Sequence, residues 1–263
     1  MPFFDQTHPF VFAHRGGAAL APENTLAAFD AGVTSRADGL ELDVHLSADG
    51  VPVVHHDKTL DRTTNATGPI TARTAAELAR IDAGYRFTAG DGFPFRGQGI
   101  GVPTLREVLR RYPDARVIIE MKMDEPRLAA AVAAEVRRAS AVDRVCLAGF
   151  GARSAAAART ALPEAASSAS QAEVQQALYR TWAFWPVRNA PYGGYQVPEV
   201  SGHLRVVSPR FVRYAHASGL RVHVWTVDEE ADIARLLQWG VDGVISNRPD
   251  TAVLYRDVLV RNT

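Results

Sequence analysis

Short apolar runs alternate with segments of helical periodicity along the whole chain, and this alternation restricts the possible folds more than any other feature. It is typical of a parallel sheet whose strands are joined by crossover helices. After the first run, for example, Leu26, Phe29 and Val33 recur with helical spacing and form one apolar stripe. Strands are expected at residues 10–13, 40–44, 117–121, 145–148, 165–168, 195–197, 222–226 and 244–246.

The length of the chain points to a closed barrel. Its 263 residues match the roughly 250 of a typical (β/α)8 barrel. Such a barrel has eight strands, the number predicted here. Hydrophobic residues make up 47% of the chain and charged residues 22%, which is the composition of a folded domain and not of a disordered chain. We therefore predict an α/β fold, a (β/α)8 TIM barrel that residues 1–263 form as a single domain.

One extended run does not fit the alternation. Residues 51–55 follow the second predicted strand after only the turn at residues 47–50, whereas a parallel crossover needs about a dozen residues or more. The run must therefore return antiparallel, as the second arm of a hairpin. This hairpin is expected to carry His56 back to the rim where the second strand ends.

A small insertion is expected around residues 57–103. Capping-box spacing predicts helix starts at Thr74 and Thr104, each followed by a glutamate three residues later. Residues 84–103 are rich in glycine and aromatic side chains, so we expect this loop to fold over another part of the molecule. A second aromatic loop, at residues 182–195, is expected either to shape the mouth of a pocket or to pack on the barrel.

The charge balance argues against one class of partner. Lys and Arg together number 29, as do Asp and Glu, so no net positive field would attract nucleic acid. Residues 1–5 lack the basic segment of a signal peptide, and no window approaches the ~20 apolar residues that span a bilayer. We expect a cytoplasmic protein without stable membrane insertion, and the sequence leaves its oligomeric state open.

Unusual polar groups lie where the predicted strands end. The active sites of β/α barrels are built at the C-terminal ends of the strands, so these groups are expected to meet at one rim. His14 and Arg15 follow the first strand, Glu41 and Asp43 lie in the second, His56 follows the hairpin, Glu120 and Lys122 end the third, and Trp225 ends the seventh.

The carboxylates among these groups predict a metal site. Side chains alternate along a strand, so Glu41 and Asp43 point the same way and can converge with Glu120. Crowded carboxylates repel one another unless a hard cation with oxygen ligands compensates them, which favours Mg²⁺ or Ca²⁺. In the alternative interpretation, one or more of the carboxylates pairs with Lys122 or Arg15 and no metal binds.

The same set of groups suits a phosphate ester as substrate. Arg15 and Lys122 could neutralise its oxygens, and the imidazoles of His14 and His56 could move protons in both directions. Trp225 could flank the organic part of the substrate, although core packing explains this residue equally well. A phosphate monoester would fit these groups as well as a diester.

Nine short motifs follow one another along nearly the whole chain. They are His14-Arg15-Gly16, Ala21-Pro22-Glu23-Asn24-Thr25, Glu41-Leu42-Asp43-Val44, Pro52-Val53-Val54-His55-His56-Asp57, Leu60-Asp61-Arg62-Thr63-Thr64, Val102-Pro103-Thr104-Leu105, Ile119-Glu120-Met121-Lys122, Val224-Trp225-Thr226-Val227 and Trp239-Gly240-Val241-Asp242-Gly243. In this order they resemble the glycerophosphodiester phosphodiesterase family, and the ordered set is much more specific than any one motif.

The resemblance implies a barrel enzyme that cleaves glycerophosphodiesters to glycerol 3-phosphate and an alcohol. Two other functions stay open, namely a lysophospholipase D-like hydrolysis of lysophospholipids at the same site and non-catalytic binding of phosphodiesters. For the residues, the resemblance implies a divalent metal on Glu41, Asp43 and Glu120, acid–base roles for His14 and His56, and phosphate contacts from Arg15 and Lys122.

Two positions depart from the family pattern. Ser246-Asn247 stands where the family often has Thr-Asp, and Asp228 stands where it often has Asn. Neither position belongs to the proposed metal or acid–base groups, so we expect effects on the rim and on head-group contacts only. Glu23 and Asn24 are expected to start the first crossover helix, with a supporting role beside the first histidine as the alternative.

Overall fold

Parallel strands form the centre of the computed structural model, which describes residues 2–261. The strands are β1 (Phe10–Ala13), β2 (Gly39–Leu46), β3 (Pro52–Val54), β4 (Arg116–Met121), β5 (Val145–Ala148), β6 (Ala166–Ser167), β7 (Gly194–Pro198), β8 (Val200–Ser201), β9 (Leu204–Arg205), β10 (Arg221–Trp225) and β11 (Gly243–Ser246). Eight of them pair in the order β6-β5-β4-β2-β1-β11-β10-β7, and every pair in this order is parallel. A bridge between Ser168 and Gly194 joins the two ends. The predicted (β/α)8 TIM barrel is confirmed.

Helices lie outside this barrel and bury its outer face. They are α1 (Leu26–Thr34), α2 (Ala75–Leu78), α3 (Leu105–Arg111), α4 (Pro126–Arg138), α5 (Ala152–Ala161), α6 (Gln171–Trp182), α7 (Pro209–Ala217), α8 (Glu230–Gln238) and α9 (Pro249–Arg261). Two large apolar clusters fill the space between strands and helices, one containing Leu42 and Val132 and the other Val222 and Ile233. No helix among residues 2–261 is long and apolar enough to cross a membrane.

The predicted hairpin is present. β3 pairs antiparallel with β2, with Val44 opposite Val54, because the turn at residues 47–50 is too short for any other connection. The Ser47 hydroxyl accepts a hydrogen bond from the Val51 N–H (2.9 Å) and closes this turn. The hairpin therefore delivers His56 to the end of β2, as the sequence predicted.

The insertion between β3 and α3 has an apolar cluster of its own. Leu60, Ile70, Leu78 and Val102 pack there against Val53 of β3. Both predicted capping boxes are formed, at the starts of α2 and α3. The insertion is therefore anchored to the hairpin that carries His56.

Aromatic side chains close the N-terminal end of the barrel. Phe3 and Phe4, in a 3-10 turn at Pro2–Phe4, are buried beside Phe12 and Ile245 inside the barrel. A Cβ atom on Gly193, next to the start of β7, would lie 2.4 Å from the Phe4 ring, so only glycine leaves room for this ring. The opposite, C-terminal end of the barrel remains open and carries the polar groups described next.

Candidate active site

Strand register brings the three predicted carboxylates together. Asp43 of β2 lies opposite Glu120 of β4, and Glu41 lies two residues earlier on the same side of β2. One carboxylate oxygen from each of the three lies within 4.8 Å of the others. A set of three carboxylate oxygens is suited to a hard divalent cation, so these residues could hold one.

Burial and mutual repulsion perturb two of these carboxylates. Burial, and then the charges of Asp43 and Glu120, raise the pKa of Glu41 well above its ordinary value. The pKa of Glu120 is raised by burial and by Asp43. Without a cation the cluster therefore tends to hold protons, which is the conflict that a bound metal ion would resolve.

Two cationic side chains compensate the third carboxylate. Lys122 Nζ lies 2.7 Å from Glu120 Oε1 and 3.3 Å from Asp43 Oδ1, and Arg15 Nε lies 3.4 Å from Asp43 Oδ2. Burial alone would raise the pKa of Asp43, but Lys122 and Arg15 hold it below its ordinary value. Among residues 2–261, no Lys or Arg side-chain nitrogen lies within 4 Å of the Glu41 carboxylate. Ion pairing thus accounts for Asp43 and reaches Glu120 through Lys122, but it does not include Glu41.

A tight turn positions the groups that follow β1. His14–Gly16 forms a 3-10 turn in which Arg15 and Gly16 have positive φ angles of 50° and 88°. A Cβ atom on Gly16 would lie 2.7 Å from the backbone of Ala28 in α1, so the turn requires glycine there. The Arg15 N–H consequently points at Glu41 and donates a 2.9 Å hydrogen bond to Oε2.

His14 is held by the last barrel strand. Its Nδ1 lies 2.7 Å from Asn247 Oδ1, and its Nε2 lies 3.9 Å from Glu41 Oε2. Burial, and then the positive charge of Arg15, lower the pKa of His14 below its ordinary value. The sequence placed Asn247 at the rim, away from the acid–base groups, whereas the structure places it in direct contact with His14.

His56 has a different partner. Its Nδ1 lies 2.6 Å from Asp57 Oδ1, and Asp57 Oδ2 accepts a 2.6 Å hydrogen bond from Arg62 Nε. The backbone oxygen of His56 accepts a hydrogen bond from His45 Nε2 (3.0 Å). His56 is therefore fixed through both its ring and its backbone.

Glu23 and Asn24 support the site and do not start α1. The helix begins at Leu26 with Thr25 as its N-cap, because Asn24 has a φ of 59° that no helix start can use. Asn24 Nδ2 donates a 2.8 Å hydrogen bond to Asp43 Oδ2, and Glu23 Oε1 accepts one of 2.9 Å from the Arg15 guanidinium. The predicted helix start is wrong here. The alternative, a supporting role beside His14, is closer to the structure, in which the two residues contact Arg15 and Asp43.

A cavity of about 320 Å³ opens beside these groups. Asp43 is only 1% exposed and lies behind the wall. Of the residues predicted from the sequence, the lining contains His14, Arg15, Glu41, His56, Glu120, Lys122 and Trp225. The structure thus gathers all the predicted site residues at one end of the barrel.

Part of the cavity wall is apolar, which the sequence did not predict. Val174 and Leu178 of α6 and Leu204 of the β8-β9 hairpin line this part, with glutamine and serine side chains between them. Trp225 lines the cavity and packs edge-on against Phe150, with ring centroids 5.9 Å apart. These residues come from separate elements, so no local sequence pattern links them.

The aromatic loop at residues 182–195 does not shape this cavity. Trp182, Phe184 and Trp185 are exposed and are absent from the lining. Tyr192 and Tyr195 are instead buried in the cluster between strands and helices. Of the two expectations for this loop, packing on the barrel holds for its two tyrosines.

A β/α barrel with a carboxylate cluster, two histidines and two cationic groups at the C-terminal end of its strands has the architecture of a barrel enzyme. Comparison with known proteins gives the family. Residues 14–251 match the model of the glycerophosphoryl diester phosphodiesterase family. The chain belongs to this family, and the resemblance noted in its sequence is confirmed.

Relatives match over most of their own length. Glycerophosphodiester phosphodiesterase from Caldanaerobacter subterraneus subsp. tengcongensis is 31% identical, with 92% of this chain and 96% of the relative covered. The protein of the same name from Bacillus subtilis is 30% identical, with 90% and 83% covered.

Solved structures agree with this assignment. The glycerophosphoryl diester phosphodiesterase domain of an uncharacterized Mycobacterium tuberculosis protein gives a TM-score of 0.83 at 25% identity, covering 95% of this chain and 99% of that one. An Oleispira antarctica phosphodiesterase, in complex with the product sn-glycerol-3-phosphate, gives 0.79 at 26% identity, with 95% and 97% covered.

Proposed function

We propose that the protein hydrolyses glycerophosphodiesters to glycerol 3-phosphate and an alcohol, with Mg²⁺ or Ca²⁺ bound by Glu41, Asp43 and Glu120. The observation that carries this proposal is that His14, His56 and two of the three carboxylates line one cavity. The product complex of the Oleispira antarctica phosphodiesterase supports this class of substrate for a member of the same family.

The two imidazoles would share the proton transfers. One takes a proton from the nucleophile, which is either water or the neighbouring glycerol hydroxyl, and the other gives a proton to the departing alcohol oxygen. If the hydroxyl attacks, a cyclic phosphate forms, and water must then open it to give glycerol 3-phosphate. Each ring has one nitrogen held by a partner of the scaffold, Asn247 for His14 and Asp57 for His56. The second nitrogen of each ring is therefore available to the substrate.

Positive charge would stabilise the phosphate. Arg15 and Lys122 line the cavity and can contact the non-bridging oxygens. Both already pair with carboxylates, so they would be oriented before the substrate binds. A divalent ion on the three carboxylates would supply further positive charge for the developing oxyanion.

Replacing each histidine tests the proposal. We expect His14→Ala and His56→Ala each to lower kcat for glycerophosphocholine by about 10²–10⁴-fold, while calorimetry still shows metal binding. His216→Ala, at an exposed histidine of α7 that pairs with Asp242 and does not line the cavity, is the matched control and should keep wild-type kcat. Near-normal turnover in both site variants would refute the assignment.

The apolar wall favours one second candidate, hydrolysis of lysophospholipids. Val174, Leu178 and Leu204 lie along the cavity that also contains the histidines. An acyl chain would bury these side chains, which contributes about 25 cal/mol of binding free energy per Å² of apolar surface. A small polar alcohol would leave them exposed to water. The wall therefore gives a reason to test acylated substrates beside glycerophosphocholine.

The two candidates differ in their dependence on this wall. If lysophospholipids are the substrates, Leu204→Gln should raise the KM for lysophosphatidylcholine and leave that for glycerophosphocholine unchanged. Leu254→Gln, at an exposed position of α9, is the control. A clear preference of the wild type for glycerophosphocholine would support the first candidate, and substrate binding without any product would indicate a non-catalytic binding protein.

A further inference from the structure

His14 is connected to a carboxylate through an amide. Its Nδ1 contacts Asn247 Oδ1 at 2.7 Å, and Asn247 Nδ2 donates a 2.8 Å hydrogen bond to Asp228 Oδ2. Asp228 Oδ1 accepts from the Asn247 backbone N–H at 2.7 Å and from Ser246 Oγ at 2.9 Å. These bonds form one chain from Asp228 to the imidazole.

The direction of this chain is determined by its far end. A carboxylate accepts hydrogen bonds and has no proton to donate, so Asn247 must turn its Nδ2 towards Asp228. The amide oxygen then faces His14, and an amide oxygen can only accept. The proton of the neutral imidazole must consequently lie on Nδ1, which leaves Nε2 with its lone pair.

We propose that Asp228 and Asn247 are positioning residues that hold His14 as its Nδ1–H tautomer and thereby make this histidine the proton acceptor of the reaction. Nε2 points into the site, 3.9 Å from Glu41 Oε2, where an unprotonated nitrogen can take a proton from the nucleophile. The catalytic part of this proposal rests on the proposed function, whereas the tautomer does not.

Asp228 and Asn247 are the two positions at which the sequence departs from what the resembled family often has. Because their side chains bond directly to each other, both departures lie at one contact between a carboxylate and an amide.

An isosteric substitution should reverse the chain of hydrogen bonds. In Asp228→Asn the backbone N–H of Asn247 still requires an oxygen at the Oδ1 position, so the new amide nitrogen occupies the Oδ2 position. Asn247 must then turn its own oxygen towards residue 228 and its Nδ2 towards His14. Nδ1 of His14 becomes an acceptor, and the proton moves to Nε2.

A second substitution should restore the original tautomer. In the double variant D228N/N247D, the new carboxylate at position 247 accepts from the amide at position 228 and from His14 Nδ1. The proton returns to Nδ1 although both side chains have changed. Rescue of a damaged variant by a second substitution is a result that general destabilisation of the site would not give.

Two readouts test the proposal together. In ¹⁵N-histidine NMR spectra of the metal-free protein at pH 8, assigned with His14→Gln, we expect Nδ1–H in the wild type and double variant and Nε2–H in Asp228→Asn. The kcat of Asp228→Asn should fall about 10²–10⁴-fold, the usual contribution of a general acid or base, because the wrong tautomer removes that contribution. The kcat of the double variant should be at least tenfold higher than that of Asp228→Asn.

The outcomes separate this proposal from the proposed function. Asp114→Asn, at an exposed carboxylate before β4, is the control and should change neither spectrum nor kcat. An Nε2–H tautomer in the wild type would overturn the proposal even if Asp228→Asn failed to fold, and so would wild-type kcat in Asp228→Asn. A chain that shows the expected tautomers but hydrolyses no glycerophosphodiester would refute the proposed function and the catalytic part alone.

Discussion

The two imidazoles of the site belong to different parts of the molecule and contact different partners. His14 follows a barrel strand and contacts the neutral amide of Asn247. His56 follows the hairpin and contacts the carboxylate of Asp57, which Arg62 holds in turn. The histidine carried by the barrel thus has an amide oxygen on its Nδ1, whereas the histidine carried by the hairpin has a carboxylate oxygen there.

This difference indicates how one residue type can perform two tasks. A carboxylate stabilises a positive charge on the ring that it contacts, and a neutral amide does so much less. We therefore expect His56 to supply the proton that the departing alcohol receives. His14 is the acceptor because an oxygen at position 247, of an amide here and of a carboxylate in D228N/N247D, keeps its own proton on Nδ1.

Asp57→Asn should have the largest effect, because it removes the carboxylate that distinguishes His56 from His14. The Arg62 guanidinium can only donate, and its shortest bond is to Asp57 Oδ2, so the amide oxygen should stay on Arg62 and the amide nitrogen should face His56. We expect kcat to fall about 10²–10⁴-fold, as steady-state kinetics would show. Asp114→Asn, at an exposed carboxylate before β4, is the control, and unchanged kcat in Asp57→Asn would contradict the assigned role of this carboxylate.

A third imidazole extends the comparison because it is buried among aromatic rings instead of polar groups. His223 is fully buried beside Phe3, Phe4 and Phe12, and neither ring nitrogen has a hydrogen-bond partner among residues 2–261. Burial lowers the pKa of His223 from 6.5 to about 4. The ring therefore stays neutral in the folded state over a range of pH in which the unfolded chain takes up a proton.

The sign of the resulting effect on stability follows from proton counting. Between pH 6.5 and about 4 the unfolded state binds more protons than the folded state at His223, so the free energy of unfolding falls as the pH falls. The full loss is about 3 kcal/mol. The free energy of unfolding can be measured by urea denaturation between pH 7 and 5. We expect it to depend less on pH in His223→Leu than in the wild type, and to show the wild-type pH dependence in His203→Gln. A wild-type slope in His223→Leu would contradict this account.

Arg62→Lys should give a smaller effect. The Arg62 guanidinium bonds both Asp57 and Glu23, and a lysine cannot hold two carboxylates with the same geometry. We expect kcat to fall about tenfold, equivalent to about 1.4 kcal/mol. Because the Arg62 side chain is 48% exposed, the free energy of unfolding should change by less than about 1 kcal/mol.

Arg111→Lys is the matched control for Arg62→Lys. Arg111 of α3 is 52% exposed and pairs with Asp30, so Arg111→Lys makes the same chemical change away from the cavity. Its kcat should equal that of the wild type. Equal losses in both variants would show that the effect of Arg62 is general and not specific to His56.

The fold could be read from the sequence because its determinants are local. Strand runs, the turn at residues 47–50 and the capping boxes at Thr74 and Thr104 each depend on neighbouring residues, and all are present in the structure. The convergence of Glu41, Asp43 and Glu120 followed from strand alternation and the parallel order of β2 and β4. These features could be predicted from residue spacing along the chain and from the parallel order of the strands.

The partner of His14 could not be read in this way. The contact between His14 and Asn247 joins residues 233 positions apart, and it depends on the register of β1 against β11, the first and last strands of the chain. The apolar cavity wall likewise combines side chains of α6 with the β8-β9 hairpin. Contacts between elements depend on rotamers and packing, which a one-dimensional pattern does not contain.

Metal titration tests the central claim most directly. The protein is stripped with EDTA, and the release of glycerol 3-phosphate from glycerophosphocholine is measured as Mg²⁺ or Ca²⁺ is added, with Glu41→Gln in parallel. We predict that the wild type regains activity and saturates at one ion per chain, while Glu41→Gln needs far more metal because one ligand is lost. Full release of glycerol 3-phosphate by the stripped protein, or none at any metal concentration, would contradict the account.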